Sequence, residues 1–590
     1  MADGGYYGPL SMNHLNIITM TIAQLLVDTL IKAGVKRIHG IVGDSANAIA
    51  HEIRETKVIE WCHYRHEEAA AFAAGAEAQL TGKLAVCIGS CGPGNLHLIN
   101  GLYDAHRSMA PVLAIATHIP STEVGTSYFQ ETDPKALFQG CSHYCELISS
   151  AGQMPRVLQT AMQHAIGQSG VGVIVLSGDV AFEEVENSGL RHGLLSSRPV
   201  VRPSDAELGS LAEMLDEHEK ITLLCGSGCR DAHDEIICLC ETLNSPVVTA
   251  LRGKQYVEYD NPCDVGMTGL IGFESGRIAM ERSDVLLMLG TDFPYRDFYP
   301  SKAKIVQIDI RPENLGRRAA VHLGLVGDVK ETLKVLLPLL ALKTVRYHLD
   351  FCLSHYEQVR HLLDKKAARD RSDTIVFPEY VAAEFSQQAD DDAIFTCDVG
   401  TPTVWAARYL KMKKGRRLLG SFVHGSMASA MPQAIGAQFA YPDRQVICFS
   451  GDGGFAMLMG DLLTIRQYKL PVKIVVFNNG LLGFVALEMK VTGYPPFATD
   501  LDNPDFAIMA EAIGIKGILV KRPDQLAPAI SEALAWDGPV LLNVYVNPSE
   551  LPMPPKVELG QAKGFSLYMG RQILDGNLDE VVQTVETNFL

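Results

Sequence analysis

The 590-residue chain is 47% hydrophobic and 20% charged, which suits a globular protein of about three or four packed domains and excludes a disordered chain. A net charge of −17 argues against nucleic acid as a partner and gives no general attraction to anionic lipid. No uncharged apolar run reaches the ~18 residues of a spanning helix.

The N-terminus shows no basic region followed by an apolar core, so a cytoplasmic chain is expected, with residues 1–19 as an extension. The thirteen cysteines are scattered, several inside apolar runs (Cys87, Cys225, Cys238, Cys448), as reduced core thiols are. Cys141 and Cys145 flank His143, but no second ligand pair follows, so core or loop thiols are expected there.

Residues 20–187 read as a first α/β domain. Ile22–Ala33 has helical spacing and stops at Gly34. Apolar strands follow at 37–42, 58–62, 84–89, 112–117 and 172–176, with turns at Gly43-Asp44-Ser45 and Ser90-Cys91-Gly92-Pro93-Gly94-Asn95. Between them Arg65-His66-Glu67-Glu68 opens AAAFAAGAEAQL, a helix of small residues that something must approach closely. Such alternation implies a parallel sheet with helices on both faces. A linker from 189 to 205 leads to a second unit, 200–345, with strands at 221–225, 246–250, 285–289 and 304–310. Charged helical sequence from 347 to 371 leads to a third unit, 375–548, and a tail, 549–590. The fold class is therefore α/β, with three doubly wound parallel-sheet domains.

In the third unit RQVICFS reads as a buried strand that runs into Gly451-Asp452-Gly453-Gly454. This turn presents backbone N–H groups at a helix start, which suits a diphosphate. The helix is expected to continue to about Gln467, before the strand 472–477 and Asn478-Asn479. Asp452 and Asn479 then stand at the ends of neighbouring strands, where open α/β sheets keep ligands. A carboxylate, an amide oxygen and a carbonyl leave room for phosphate and water around Mg²⁺. GDG closed by NN across strand–helix–strand resembles the thiamine-diphosphate signature. Glu67 is the sharpest single acid: a carboxyl sealed among alanines is poorly solvated and suited to shuttling a proton. Helix capping by Glu67 and Glu68 is the plain alternative.

RHEEAAAFAAGAEAQ, SCGPGNLHLINGLYDAHR, YFQETDP, GMTGLIGF, CDVGTPTVWAARYLKM, GSMASAMPQAIGAQ and KIVVFNNGLLGFVALEMK closely resemble the quinone-linked bacterial pyruvate oxidases. These belong to the acetolactate-synthase-like family of thiamine-diphosphate- and FAD-dependent enzymes. The resemblance runs from about Met20 to the C-terminus. It implies that Glu67 is the cofactor-activating acid, facing thiamine on a partner subunit, with the alanine helix at the dimer interface. Asp452 and Asn479 become magnesium ligands with the backbone oxygen of Leu481. Gly453, Gly454, Gly400 and Thr401 lie against the diphosphate. Gly425-Ser426-Met427 holds the bent cofactor, Met427 wedged between its rings and the Gly425 carbonyl taking its amine. Met427 as a plain gap-filler is the alternative.

For flavin, Gly226-Ser227-Gly228 follows a strand but lacks the third glycine of a dinucleotide fingerprint. Asp309 suits either a ribose hydroxyl or the next turn. The resemblance adds Thr268-Gly269-Leu270-Ile271 and Thr291-Asp292-Phe293-Pro294-Tyr295. It also implies that Phe129, Gln130 and Phe484 lie near the thiazolium and flavin rings, against ordinary aromatic packing. The implied reaction is oxidation of pyruvate to acetate and CO₂, with electrons passing through FAD to ubiquinone. A homotetramer built from dimers and a peripheral, reversible place on the inner membrane surface are implied too.

In the tail Leu578, Val581, Val582, Val585 and Phe589 share helical spacing. Asp575, Asp579, Glu580 and Glu586 make it acidic, and a helix docked on its own protein is the alternative to a membrane-binding one. Acetolactate synthesis and a phosphate- and oxygen-dependent oxidase making acetyl phosphate are the competing activities.

Overall fold

Three six-stranded parallel sheets, each flanked by helices, organise the chain in this computed structural model. It describes residues 19–186, 199–551 and 559–574, with residues 582, 584, 585, 587 and 588 beyond them. The N-terminal extension, residues 187–198 of the linker, and tail positions Leu578, Val581, Phe589, Asp575, Asp579, Glu580 and Glu586 lie outside the described residues. Two compact units divide the chain between Ser196 and Ser197. No described helix is long and apolar enough to cross a membrane.

The first unit holds one sheet, ordered Glu60–His63, Arg37–Gly40, Ala85–Gly89, Val112–His118, Val171–Ser177, Tyr144–Ile148. Its central strands are buried along their whole length, as strands covered on both faces must be. Thr19–Thr21 pairs antiparallel with Glu184–Glu186, which closes the unit near both expected boundaries. In the second unit the middle sheet runs Asp264–Met267, Val247–Thr249, Ile221–Cys225, Val285–Leu289, Lys304–Asp309, Leu323–Val326. The last sheet runs Arg417–Gly420, Ile394–Cys397, Val446–Gly451, Lys473–Asn478, Val540–Tyr545, Lys516–Val520. The first and last sheets therefore share the order 2-1-3-4-6-5, while the middle one is 3-2-1-4-5-6, the order of dinucleotide-binding sheets.

Two expectations change. The alanine helix, Glu67–Thr81, does not keep its small residues for a second chain. Every residue from Ala69 to Ala78 is buried within this one, against the helix Pro93–Arg107. A Cβ on Gly101 would stand 2.5 Å from the Ala71 methyl carbon and 2.7 Å from the Phe72 nitrogen, so the two backbones nearly touch. The helix after Gly451 is also not continuous. It breaks into Asp452–Leu458, a tight turn at Met459–Asp461, and Leu462–Tyr468. Leu458 leaves helical geometry (φ −124°, ψ 20°), and buried Asp461 precedes the restarted helix and accepts the Thr464 hydroxyl at 2.8 Å.

The described tail packs on its own chain. Leu559–Leu574 lies along Gly483–Thr492, with the Tyr568 ring buried beneath the Lys490 ammonium. Farther on, Val582 is exposed and Val585 half-buried, while the Asn588 amide holds the Ser549 carbonyl at 2.8 Å. Cys141 and Cys145 direct their thiols at the carbonyls of Phe138 and Pro134.

Candidate active site

In the last sheet the strand order reverses between Ile394–Cys397 and Val446–Gly451, and the crevice at such a point is where open sheets bind ligands. Asp398–Thr401 follows the first strand and Gly451–Gly454 the second. Gly400 (φ +139°) swings the chain into the helix Thr401–Tyr409, and Pro402 carbon lies 3.5 Å from where a Gly451 Cβ would be. Asp452 opens its own helix and is 2% exposed. Its carboxylate accepts the N–H of Gly453 (2.9 Å), the N–H of Gly480 (2.7 Å) and the Asn503 amide (2.8 Å). Burial nevertheless pushes this carboxyl above its ordinary range.

Asn479 receives the Leu481 N–H on its side-chain oxygen at 3.2 Å, and Leu481 bridges to Asp500. A Cβ on Gly483 would sit 3.0 Å from the Thr401 methyl and 3.4 Å from the Asn479 amide nitrogen, so these three meet. Gly425 (φ +87°) leads into Ser426, whose hydroxyl donates to the Met427 carbonyl at 2.8 Å. The Met427 methyl lies 3.5 Å from the Cβ position of Gly453. The donor set is oxygen-rich and glycine-lined, and it fits a diphosphate held with a hard divalent cation. Phe484, second residue of its helix, is half-buried on the apolar cluster that also takes Ile271.

Sequence reasoning passed over several residues here. Asp398 is wholly buried beside Gly454, accepts the Ala430 N–H at 2.9 Å, and is pushed up to about 7 by burial. Asn503 holds both Asp452 and Asn478, and Asn478 continues to Asn543 and Asp505. The strand-end position of CDVG was the only available signal for Asp398.

In the middle sheet the reversal falls between Ile221–Cys225 and Val285–Leu289, so Gly226-Ser227-Gly228 and the Gly290–Tyr295 loop sit together. Gly226 and Gly228 are glycines for a packing reason. Cβ atoms there would run into Gly290 and Thr291 backbone. Gly269 (φ +102°) lies under the rings of Phe293 and Tyr295, with Leu270 exposed beyond it. Thr268 is buried with no partner for its hydroxyl, which suits a polar ligand atom. Phe293 is itself core, packed edge-on to Phe298, and Asp292 is paired with Arg317 and Arg318. Asp309 caps the next turn, accepting Arg311 N–H at 2.9 Å and the Asn314 amide at 3.1 Å, which is the plainer of its two expected roles. The order of the sheet, its paired loops and the orphaned hydroxyl fit a dinucleotide such as FAD.

In the first unit Glu67 is 7% exposed at the first position of its helix. Its Oε2 accepts from His97 Nδ1 at 2.9 Å, and the His97 ring stacks on His66 at 4.3 Å. Gly94 leaves room for it, since a Cβ there would be 3.0 Å from Oε1. Gln130 (φ +63°) closes over the same loop: its side-chain oxygen accepts the Cys91 thiol at 3.2 Å, and its backbone oxygen is 2.8 Å from a Gly92 Cβ position. Phe129 beside it is 78% exposed. Ser45, Ser90 and Thr117 stitch the strand ends below through hydroxyl contacts of 3.1 and 2.7 Å. His97 was not singled out from the sequence; its place four residues into the helix from Pro93 was the available signal.

A cofactor cradle of this kind at a reversal point, with a buried acid at a helix start in a sheet of the same strand order, defines a thiamine-dependent α/β enzyme. The chain belongs to the thiamine pyrophosphate enzyme family. Residues 20–137 match its N-terminal TPP binding domain, 208–336 its central domain and 398–544 its C-terminal TPP binding domain. It is 37% identical over 562 residues to the putative thiamine pyrophosphate-containing protein YdaP of Bacillus subtilis (strain 168), covering 95% of this chain and 97% of that one. A probable acetolactate synthase large subunit of Methanococcus aeolicus is 32% identical over 84% of this chain and 87% of its own length. A pyruvate oxidase of Lactiplantibacillus plantarum is 30% identical over 88% and 87%.

Proposed function

We propose that this enzyme oxidises pyruvate and water to acetate and CO₂, passing two electrons through FAD to a membrane quinone. The observation that carries the reading is Phe484. It is the second residue of the helix that follows the Asn479 corner, and it packs on the apolar core against which Ile271 of the candidate flavin loop also packs.

In this reading thiamine diphosphate supplies the electron sink for decarboxylation and FAD the electron acceptor. Asp452, Asn479 and the Leu481 carbonyl hold Mg²⁺, and Gly453, Gly454, Gly400 and Thr401 line the diphosphate. Met427 and Gly425 would contact the thiamine rings, and Glu67 of a second copy would hold the proton that the activation needs. Gln130 and Phe129 face the substrate. Thr268–Ile271, the Thr291–Tyr295 loop and Gly226–Gly228 would surround the flavin, with Asp309 capping the turn beside them. A homo-oligomer and a cytoplasmic enzyme that docks on the inner membrane surface through its tail complete the proposal.

Similarity to an acetolactate synthase subunit over most of the chain supports a second reading, carboligation of two pyruvates. Product analysis separates them. With pyruvate, both cofactors and an artificial electron acceptor, the proposal expects acetate and stoichiometric acceptor reduction. Acetolactate as main product would replace it with the second reading, and phosphate-dependent acetyl phosphate would replace it with an oxygen-linked oxidase.

A further inference from the structure

We propose that His66, Glu67 and His97 form a binding site for a borderline divalent transition-metal ion of the zinc class, separate from the oxygen-rich set around Asp452. One ligand atom from each of the three lies within 4.8 Å of the other two, and among the described residues this is the one such cluster. Two imidazoles and one carboxylate favour zinc, cobalt, nickel or copper, whereas magnesium prefers oxygen and water. The two sites therefore sort metals by ligand chemistry.

Little rearrangement is needed. His97 Nδ1 and Glu67 Oε2 are 2.9 Å apart, joined by a proton. Replacing that proton with zinc, at bond lengths of about 2.0–2.2 Å, opens the pair by only a few tenths of an ångström. His66 stacks on His97, so its ring must tilt to turn a nitrogen lone pair towards the ion, and the hydrogen bond it accepts from the Glu68 N–H, at 3.2 Å, is long. In the single chain the His97 side chain is 44% exposed, while Glu67 at 10% anchors the ion from below. One water completes a four-coordinate shell. Binding occupies the carboxyl oxygen assigned above to proton exchange, so the ion acts as an inhibitor; that consequence, but not the site itself, rests on the proposed function.

The test uses the full chain without thiamine diphosphate, in excess Mg²⁺, titrated with Co²⁺ and followed by visible absorption. One Co²⁺ per chain is expected with a nitrogen-ligand spectrum. His66→Asn and His97→Asn should each weaken it at least about tenfold, the low end of the loss from removing even an outer partner of a metal site. Asparagine keeps an acceptor at the helix cap, so His66→Asn preserves the helix start; unchanged melting temperatures show that both variants fold. Titrations that superimpose on the unaltered protein overturn the site. In the loaded enzyme, Zn²⁺ should inhibit pyruvate turnover, with the inhibition relieved at least tenfold in His66→Asn. Histidine-dependent Co²⁺ binding without inhibition upholds the metal site and instead overturns the role given to Glu67.

Discussion

The Gly480 N–H donates to Asp452 Oδ2 at 2.7 Å, so one side chain ties the end of Lys473–Asn478 to the start of the helix after Val446–Gly451. The corner proposed to hold the metal is thus pre-assembled by the protein, with the Asn503 amide on the same oxygen. Asp452→Asn keeps the shape but removes the charge and turns an amide N–H towards N–H donors that the carboxylate now accepts. Thiamine diphosphate affinity in Mg²⁺, measured calorimetrically, should fall on the order of a hundredfold, as loss of a metal partner does. Unchanged affinity would remove Asp452 from the metal site.

Glu67→Gln should lower pyruvate-dependent acceptor reduction by roughly 10²–10⁴-fold, the usual range for a positioned acid or base. Glutamine can still face His97, so the helix start survives and flavin absorbance should be retained. Near-normal turnover with flavin bound would leave Glu67 as a structural partner of His97 at the helix start.

What the sequence made legible was backbone. Apolar runs bounded by glycine gave most central strands within a residue or two, because buried parallel strands carry their signal locally. GDGG and NN were readable as the ends of neighbouring strands for the same reason. Strand order was not readable, since nothing local distinguishes 2-1-3-4-6-5 from 3-2-1-4-5-6. Neither were Asn503 and His97, whose importance lies in the distant side chains they touch. The alanine helix shows the limit well. Its composition announced close approach correctly but could not say that the approaching surface is Gly101 of the same chain.

Gly101→Val tests that packing. The added methyl groups would press on Ala71, Phe72 N and the Glu68 carbonyl, which stands 2.9 Å from the Cβ position. Overpacking of this kind costs about 1–3 kcal/mol, readable as a lower urea midpoint with unchanged slope. Wild-type stability would mean that the helices separate easily, and the alanines would again need another explanation.

Stability should also depend on pH through Asp264, buried in the middle domain near Glu258, Lys254 and Tyr356. Burial, then the Glu258 charge, pushes its carboxyl up to about 7. An unfolded aspartic acid ionises near 3.9, so the native state holds a proton that the unfolded chain gives up between about pH 4 and 7. The stability from this group is complete below about 4, is lost as pH rises through about 7, and is flat above it. Asp264→Asn removes that slope. Its melting temperature should match the unaltered protein most closely at pH 5 and exceed it by the most at pH 8. A constant difference across that range would exclude Asp264 as the source.

The tail offers the last prediction, because its docking surface is the helix Gly483–Thr492 that carries Phe484. Gly564 is pressed against the Val491 carbonyl, and Arg571 donates to the Gly493 carbonyl at 2.5 Å. Gly564→Val cannot keep that contact, so Leu559–Leu574 must lift from Gly483–Thr492. If the docked helix restrains Phe484, basal turnover should rise and added lipid should stimulate less, with Lys563 becoming more open to trypsin. Removing the last two dozen residues should reproduce the kinetic effect. Faster trypsin cleavage with unchanged basal rate and lipid response would show that the helix undocks without governing the active site, and the regulatory role of the tail would fall.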